Sequence, residues 1–175
     1  MGINLLILGL FVLALAWISL RARHSTLSTL APLPGESTVF EEDGVLVTLR
    51  NSGATTDRWT FKNGPSSLVP TDIVRVTDQR IIVAQRLKGR DDPQLRYVFH
   101  VPGGGVTTSL EGVYVTTHLD EDRICIDYVK KEVRLPLGDT FATRGKEAVI
   151  PTDRLSDWQQ RLPRARQVHV ATSVD

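Results

Sequence analysis

The chain has 175 residues, a formal net charge of +1 and a hydrophobic fraction of 41%. The near-neutral charge excludes a strong overall attraction to nucleic acid or to acidic lipid. Apart from an apolar N-terminal segment, the length is that of one domain with a sizeable core.

The N-terminal segment is apolar over residues 3–20, which include no charged residue. At about 1.5 Å per residue, a helix of this length crosses most of a hydrocarbon layer of about 30 Å. A cleaved signal peptide would begin with basic residues and end at a small-residue site. A buried core helix would keep a polar stripe, whereas only Asn4 and Ser19 interrupt this segment. We therefore predict an uncleaved transmembrane helix, with residues 1–24 forming the anchor and its basic flank.

The basic flank predicts the orientation of this anchor. Arg21 and Arg23 follow the apolar segment, and no basic side chain precedes it. Because Lys and Arg near a span favour the cytoplasmic side, we expect a single-pass protein of the cell membrane with a cytoplasmic domain. The lone Cys125 agrees, since a small secreted domain more often carries paired cysteines. Trp17, Arg21 and Arg23 are the predicted anchors at the membrane interface.

The rest of the chain divides into a linker, a domain and a tail. Residues 25–34 are rich in Ser and Thr and contain two prolines, which predicts a linker. Residues 35–163 form the predicted β domain, and residues 164–175 form a polar tail.

Short β-branched or alternating segments between turn residues predict a series of strands. They fall at residues 45–49, 58–62, 72–77, 80–87, 95–101, 113–117, 123–129 and 132–137. Short strands at regular spacing are typical of an antiparallel sandwich or a small barrel.

One helix is predicted after the strands, because a proline stands at each end of a segment with helical periodicity. Leu155, Trp158 and Leu162 recur along one face, and this stripe would pack on the open end of the barrel. The predicted fold class is therefore mainly β, with a transmembrane helix followed by a small antiparallel barrel or sandwich capped by one C-terminal helix.

Residues 72–83, DIVRVTDQRIIV, resemble a strand pair common in bacterial pleckstrin-homology-like (PH-like) and GRAM-like domains. Gly35 and Glu36 resemble the pair that often opens such domains. Trp158 is similar to the tryptophan that pleckstrin-homology domains carry in their C-terminal helix. The resemblance covers residues 35–162 and implies a binding module rather than an enzyme. It does not imply phosphoinositide binding.

A local excess of basic residues surrounds the predicted hairpin of this segment. These residues could contact anionic headgroups or a partner, or they could form an ordinary solvated face neutralised by neighbouring aspartates, which we favour. They are Arg75, Arg80, Arg86, Lys88 and Arg90.

The sequence predicts no catalytic, cofactor or metal site. His118, Asp120 and Asp122 would share one face of an extended strand, but acidic residues between two apolar strands are more simply a turn. The glycines at 103–105 lack the Lys-Ser/Thr of a phosphate loop, and no nucleophile stands beside a base.

We therefore expect a membrane-anchored, non-enzymatic interaction module, acting as an accessory or assembly subunit of a membrane protein complex. Its partners would be other membrane proteins and not nucleic acid. The alternative is a tethered domain that senses anionic lipid or a small ligand. A partner role predicts an exposed apolar patch.

Overall fold

The computed structural model of the chain describes residues 25–51, 71–105, 107, 110, 112–116, 119–138 and 145–169. The predicted transmembrane segment 3–20, the predicted strand 58–62 and the side chains of Trp17, Arg21 and Arg23 lie outside these residues.

The described residues form ten strands and one α-helix. The strands are β1 (Thr38–Val45), β2 (Thr48–Asn51), β3 (Asp72–Thr77), β4 (Arg80–Gln85), β5 (Gln94–His100), β6 (Tyr114–Thr116), β7 (Cys125–Asp127), β8 (Glu132–Pro136), β9 (Lys146–Pro151) and β10 (Arg166–Val168), and the helix is α1 (Leu155–Arg161). A single 3-10 turn, Glu121–Arg123, precedes β7.

The strands divide into two five-stranded sheets. Sheet I has the order β1-β3-β4-β5-β6, and sheet II has the order β10-β7-β8-β9-β2. Neighbouring strands are antiparallel except for the pairs β5–β6 and β10–β7, which are parallel. Successive strands β1 and β2 belong to different sheets, so the chain crosses from one sheet to the other between them.

This crossing divides the predicted strand 45–49. Gly44, with φ of +77°, bends the end of β1, a conformation that glycine adopts without steric cost. The Val47 N–H then donates to the buried Asp72 carboxylate, 2.8 Å away, instead of continuing the ladder of sheet I. The chain therefore turns into sheet II at Leu46 and Val47.

One apolar core lies between the two sheets. It joins the inner faces of sheet I and sheet II to the buried side of α1, and its members include Val76, Phe99, Ile126, Leu135 and Trp158. Because alternate residues of a strand point to opposite faces, β3, β4, β5, β8 and β9 each contribute two alternate side chains to this core.

A smaller apolar cluster lies on the outer face of sheet I. It consists of Ile82, Ala84 and Leu95. Two segments cover it: residues 25–34 contribute Leu27 and Leu30, and the segment before β6 contributes Leu110 and Val113. Residues 25–34, predicted as a linker, thus pack against the sheet. Because sheet I is covered on both faces, β3 and β4 are buried along nearly their whole length.

Two parts of the predicted architecture are corrected by the structure. The predicted barrel is wrong: the described strands form two open sheets, because the crossing after β1 sends β2 to sheet II and no described strand joins the ends of either sheet. The described residues also contain no helix long and apolar enough to cross a membrane, since α1 has only seven residues. This finding contradicts the predicted architecture with a transmembrane helix and the placement as a single-pass membrane protein.

Candidate functional site

A groove of about 370 Å³ opens between the edge strand β1 and the helix α1. Its lining combines apolar residues of β1 with charged and polar residues from the helix and the residue before it: Val39, Phe40, Arg154, Asp157, Gln160 and Arg161. Val39 is 51% exposed, which is high for a large aliphatic side chain in a strand. The groove therefore presents apolar surface to solvent.

The floor of the groove is fixed by aromatic packing. Phe40 of β1 and Trp158 of α1 meet edge to face, with ring centroids 5.4 Å apart, and both side chains are buried. Leu155, Trp158 and Leu162 point into the core and hold the helix against it. The indole N–H of Trp158 faces Glu42, 3.5 Å from its Oε2.

The helix side of the groove carries both signs of charge. The guanidinium carbon of Arg154 lies 4.5 Å from the centroid of the Phe40 ring, a cation–π contact. Arg154 also donates to Asp157 at 2.6 Å. Arg161 donates to the carbonyl oxygens of Thr77 and Asp78, and burial lowers the pKa of its guanidinium.

The outer edge of β1 forms the other side of the groove. β1 ends sheet I, and no strand among the described residues pairs with this edge. Two irregularities in the β1–β3 ladder, between Thr38 and Phe40 and between Glu42 and Val45, bend the strand. An edge strand presents main-chain N–H and C=O groups to which a further strand can add, and irregularities and charged side chains such as those of β1 restrict the addition to segments that complement them.

A second polar constellation surrounds the β3–β4 turn and is called here the turn cluster. It comprises Glu36, Thr77, Arg80, His100 and Thr107. Arg80 is only 1% exposed and binds both carboxylate oxygens of Glu36 at 2.7 Å. Its remaining contacts are the Thr107 hydroxyl at 2.8 Å and the Ala31 carbonyl at 2.7 Å. Burial acts to raise the pKa of Glu36, but hydrogen bonds from Arg80, Leu33 and Thr77 outweigh it and hold this pKa below its usual value.

His100 lies beside Arg80 in the turn cluster and is also 1% exposed. Its Nε2 accepts the Thr107 N–H at 3.0 Å, so the ring proton belongs on Nδ1. Nδ1 is buried and has no hydrogen-bond partner among the described residues. Burial and the charge of Arg80 lower the pKa of His100, while the Gly105 carbonyl and Glu36 oppose this shift.

Apart from His100 Nδ1, the polar groups of the turn cluster bond to one another or to described backbone groups nearby. Glu36 satisfies Arg80, and Thr77 Oγ1 accepts the Arg80 N–H at 2.8 Å. Gln79 receives the Gly105 N–H at 3.0 Å and donates to the Pro34 carbonyl at 2.9 Å. These bonds join residues 31–36 and the Gly-rich loop, residues 101–105, to sheet I, so the cluster stabilises the fold.

The structure distributes the predicted basic residues over three settings. Arg75 pairs with Glu41 and Arg86 pairs with Asp43, both at 2.6 Å on the surface. Arg80 lies in the interior, and Lys88 and Arg90 are exposed at the β4–β5 turn. The structure does not bring the five together on one face, and their contact with headgroups or a partner stays a prediction.

The acidic and glycine-rich segments have local structural roles. Asp120 Oδ1 accepts the Asp122 N–H at 3.2 Å in the 3-10 turn, and His118 lies outside the described residues. Within the described ranges, no three His, Cys, Asp or Glu side chains are grouped so as to hold a metal. Gly104 packs so closely on the β3–β4 turn that a Cβ would lie 2.4 Å from the Gln79 carbonyl oxygen.

Sequence reasoning missed β1, and with it the groove. The available signal was the short apolar pair Val39-Phe40 after Thr38, just before an acidic triplet. It was weak because β1 has few β-branched residues and three consecutive acidic ones, which are typical of an exposed loop.

No protein-family model, curated protein or solved structure matches the chain. The resemblance to PH-like domains therefore stays a prediction.

Proposed function

We propose that this protein is a non-enzymatic interaction module that binds an extended segment of a partner protein in the groove, along the outer edge of β1. The observation that carries the proposal is the outer edge of β1, with which no strand among the described residues pairs, beside the exposed Val39 and the Phe40 ring. In strand addition, main-chain hydrogen bonds supply affinity, and pockets for alternate side chains supply specificity.

The charge of β1 favours a partner segment in which apolar and basic residues alternate. β1 carries Glu41, Glu42 and Asp43 and no basic residue. Arg75 and Arg86 partly neutralise two of these carboxylates through exposed pairs, which are worth at most about 1 kcal/mol. An incoming Lys or Arg can therefore share them, while an apolar side chain packs against Val39 and Phe40.

The same charges disfavour pairing of β1 with a second copy of itself. An antiparallel β1–β1 pair would bring the acidic triplets of the two copies close together, and like charges opposite each other destabilise a strand pair. The occupant is therefore a different protein segment.

A binding role is also supported by how the buried titratable groups are used. In the turn cluster, Arg80 and Glu36 bind each other, and His100 accepts a backbone N–H. These three side chains hold segments of the chain together and do not line the groove.

The proposal is tested by selecting phage-displayed random peptides on the full chain. We expect enriched peptides to alternate apolar and basic residues, and Val39→Lys to weaken their binding about tenfold or more, because it places a charge over the apolar floor. Val129→Lys is the matched control, since Val129 is 54% exposed at the β7–β8 turn, away from the groove. Both variants should unfold within about 0.5 kcal/mol of the wild type.

Two results would contradict the proposal. One is a set of enriched peptides that bind the Val39→Lys and Val129→Lys variants equally well. The other is a selection that yields no peptide with measurable affinity for the full chain.

A further inference from the structure

A strand added to the outer edge of β1 would extend sheet I, so its alternate side chains would point to the two faces of that sheet. On the face that packs in the core, β1 carries Phe40 and Glu42, which lie beside α1. On the opposite face it carries Glu41, whose carboxylate pairs with Arg75. The two sides of an added strand therefore meet different surroundings.

On the α1 side, an incoming side chain meets the guanidinium of Arg154. The guanidinium carbon lies 4.5 Å from the centroid of the Phe40 ring, and Nε donates to Asp157 at 2.6 Å. Nη1 lies 3.5 Å from the Glu41 carbonyl oxygen, so the group also reaches the backbone of β1. The Arg154 side chain is nevertheless 42% exposed and lines the groove. One face of the guanidinium therefore covers Phe40, and the other is open to a partner.

The carboxylates on the α1 side are already engaged. Glu42 accepts the Thr152 hydroxyl at 2.6 Å and faces the Trp158 indole N–H. Asp157 accepts from Arg154. A basic partner side chain on this side would therefore meet a cation and no free carboxylate among the described groove residues. An aromatic ring can instead stack on the open face of the guanidinium, because this planar cation is attracted to aromatic faces.

We propose that Arg154 selects the partner segment, because it accepts an aromatic side chain on the α1 side and excludes a basic one there. The partner ring and Phe40 then enclose the guanidinium from its two faces. This inference rests on the proposed strand addition at β1 and narrows its partner to a segment with an aromatic residue facing α1 and a basic residue facing Glu41. Arg154 also fixes the register, since a slip by one residue would exchange the two sides.

The test is a double-mutant cycle between Arg154 and the aromatic residue of a peptide selected on the wild-type chain, with dissociation constants measured by calorimetry. Replacing the aromatic residue by Leu should weaken binding to the wild type about fivefold or more, but binding to Arg154→Gln about twofold or less. Arg164→Gln is the matched control. It removes an exposed arginine just beyond α1 that does not line the groove, so it should discriminate between the peptides as the wild type does.

Arg154→Lys separates stacking from charge. It keeps the cation without the planar face, so the preference for an aromatic residue over Leu should fall, while a peptide with Lys at that position should still bind poorly. Both variants should fold, because the Arg154 side chain makes no capping bond to α1, and circular dichroism checks this.

Two results would overturn the assignment to Arg154 while strand addition at β1 stands. One is a set of selected peptides that lack an aromatic residue, and the other is an equal loss on replacement by Leu for the wild type and Arg154→Gln. In both cases Val39→Lys would still weaken peptide binding. If no peptide binds the wild type or Arg154→Gln, strand addition is contradicted, and the assignment fails with it.

Discussion

The turn cluster and the groove are both rich in charged side chains, yet they differ in where their hydrogen bonds go. In the turn cluster, Arg80 binds Glu36, Thr107 and Ala31, all within the chain. In the groove, the β1 edge has no partner strand among the described residues, and Val39 stays exposed. We conclude that a dense polar cluster indicates a binding site only where its hydrogen-bonding groups remain available to a ligand or partner.

Removing Arg80 is the most direct test of the stabilising role of the turn cluster. Arg80→Met leaves the Glu36 carboxylate buried without its cation, and we expect a loss of about 3–5 kcal/mol in the free energy of unfolding. Urea denaturation at neutral pH measures this loss. The double variant Glu36→Leu/Arg80→Met should lose less, because no buried charge then remains unpaired.

Arg86→Met is the matched control for this prediction. Arg86 also binds a carboxylate through two nitrogens, those of Asp43, but both side chains are about half exposed. Exposed pairs contribute at most about 1 kcal/mol. Equal losses for the Arg80 and Arg86 variants would show that the turn cluster does not stabilise the fold more than a surface pair.

The groove depends on its aromatic floor, which a core truncation tests. Trp158→Ala should cost about 3–5 kcal/mol, because the buried indole contacts Phe40 and the removed volume leaves a cavity. Thermal or urea unfolding measures the cost. A loss under about 1 kcal/mol would place Trp158 outside the core and leave the floor of the groove undefined.

The smallest of these effects concerns the seating of the Gly-rich loop on the turn cluster. Gly104→Ala places a Cβ 2.4 Å from the Gln79 carbonyl oxygen, so backbone must move, and we expect a loss of about 1–3 kcal/mol. The Cβ of Gly105→Ala would meet only side-chain ends, those of Gln79 at 3.1 Å and Leu33 at 3.4 Å, so this variant should cost less. Chemical denaturation of both variants measures the difference, and a neutral Gly104→Ala would mean that the loop does not rest on this turn.

Much of the fold could be predicted from local pattern. The strand 72–77 matches β3 residue for residue, and the predicted strands at 80–87, 95–101 and 132–137 overlap β4, β5 and β8. The stripe of Leu155, Trp158 and Leu162 falls in the core, as its helical spacing indicates. These segments carry their own periodicity, so neighbouring residues suffice to identify them.

The missed strands carry weaker local signals, since β10 has no apolar run and β9 has only the short run Ala148–Ile150. β10 lies in the predicted polar tail and forms by pairing in parallel with β7. β9 was not predicted, although it pairs with both β8 and β2. The pairings of β10 with β7 and of β9 with β2 join residues far apart in sequence, and local propensity carries no information about such contacts.

The candidate site was beyond sequence reasoning for a related reason. The groove needs Val39 and Phe40 to meet residues 154–161, which are distant along the chain. The interior position of Arg80 was equally hidden, because its neighbours Arg75 and Arg86 look the same in sequence and lie at the surface. All three arginines pair with a carboxylate, and only the burial of Arg80 with Glu36 distinguishes it from the other two.

The crossing from β1 to β2 has a consequence for synthesis on the ribosome. Sheet I is made from residues 38–116, whereas β2 must wait for β9, since Thr48 pairs with Val149. At about 5–20 residues per second, the chain between them takes on the order of ten seconds to emerge. During that interval the inner face of sheet I, including Val76 and Phe99, has no sheet II to cover it. The nascent chain is therefore most exposed to aggregation just before its last third appears.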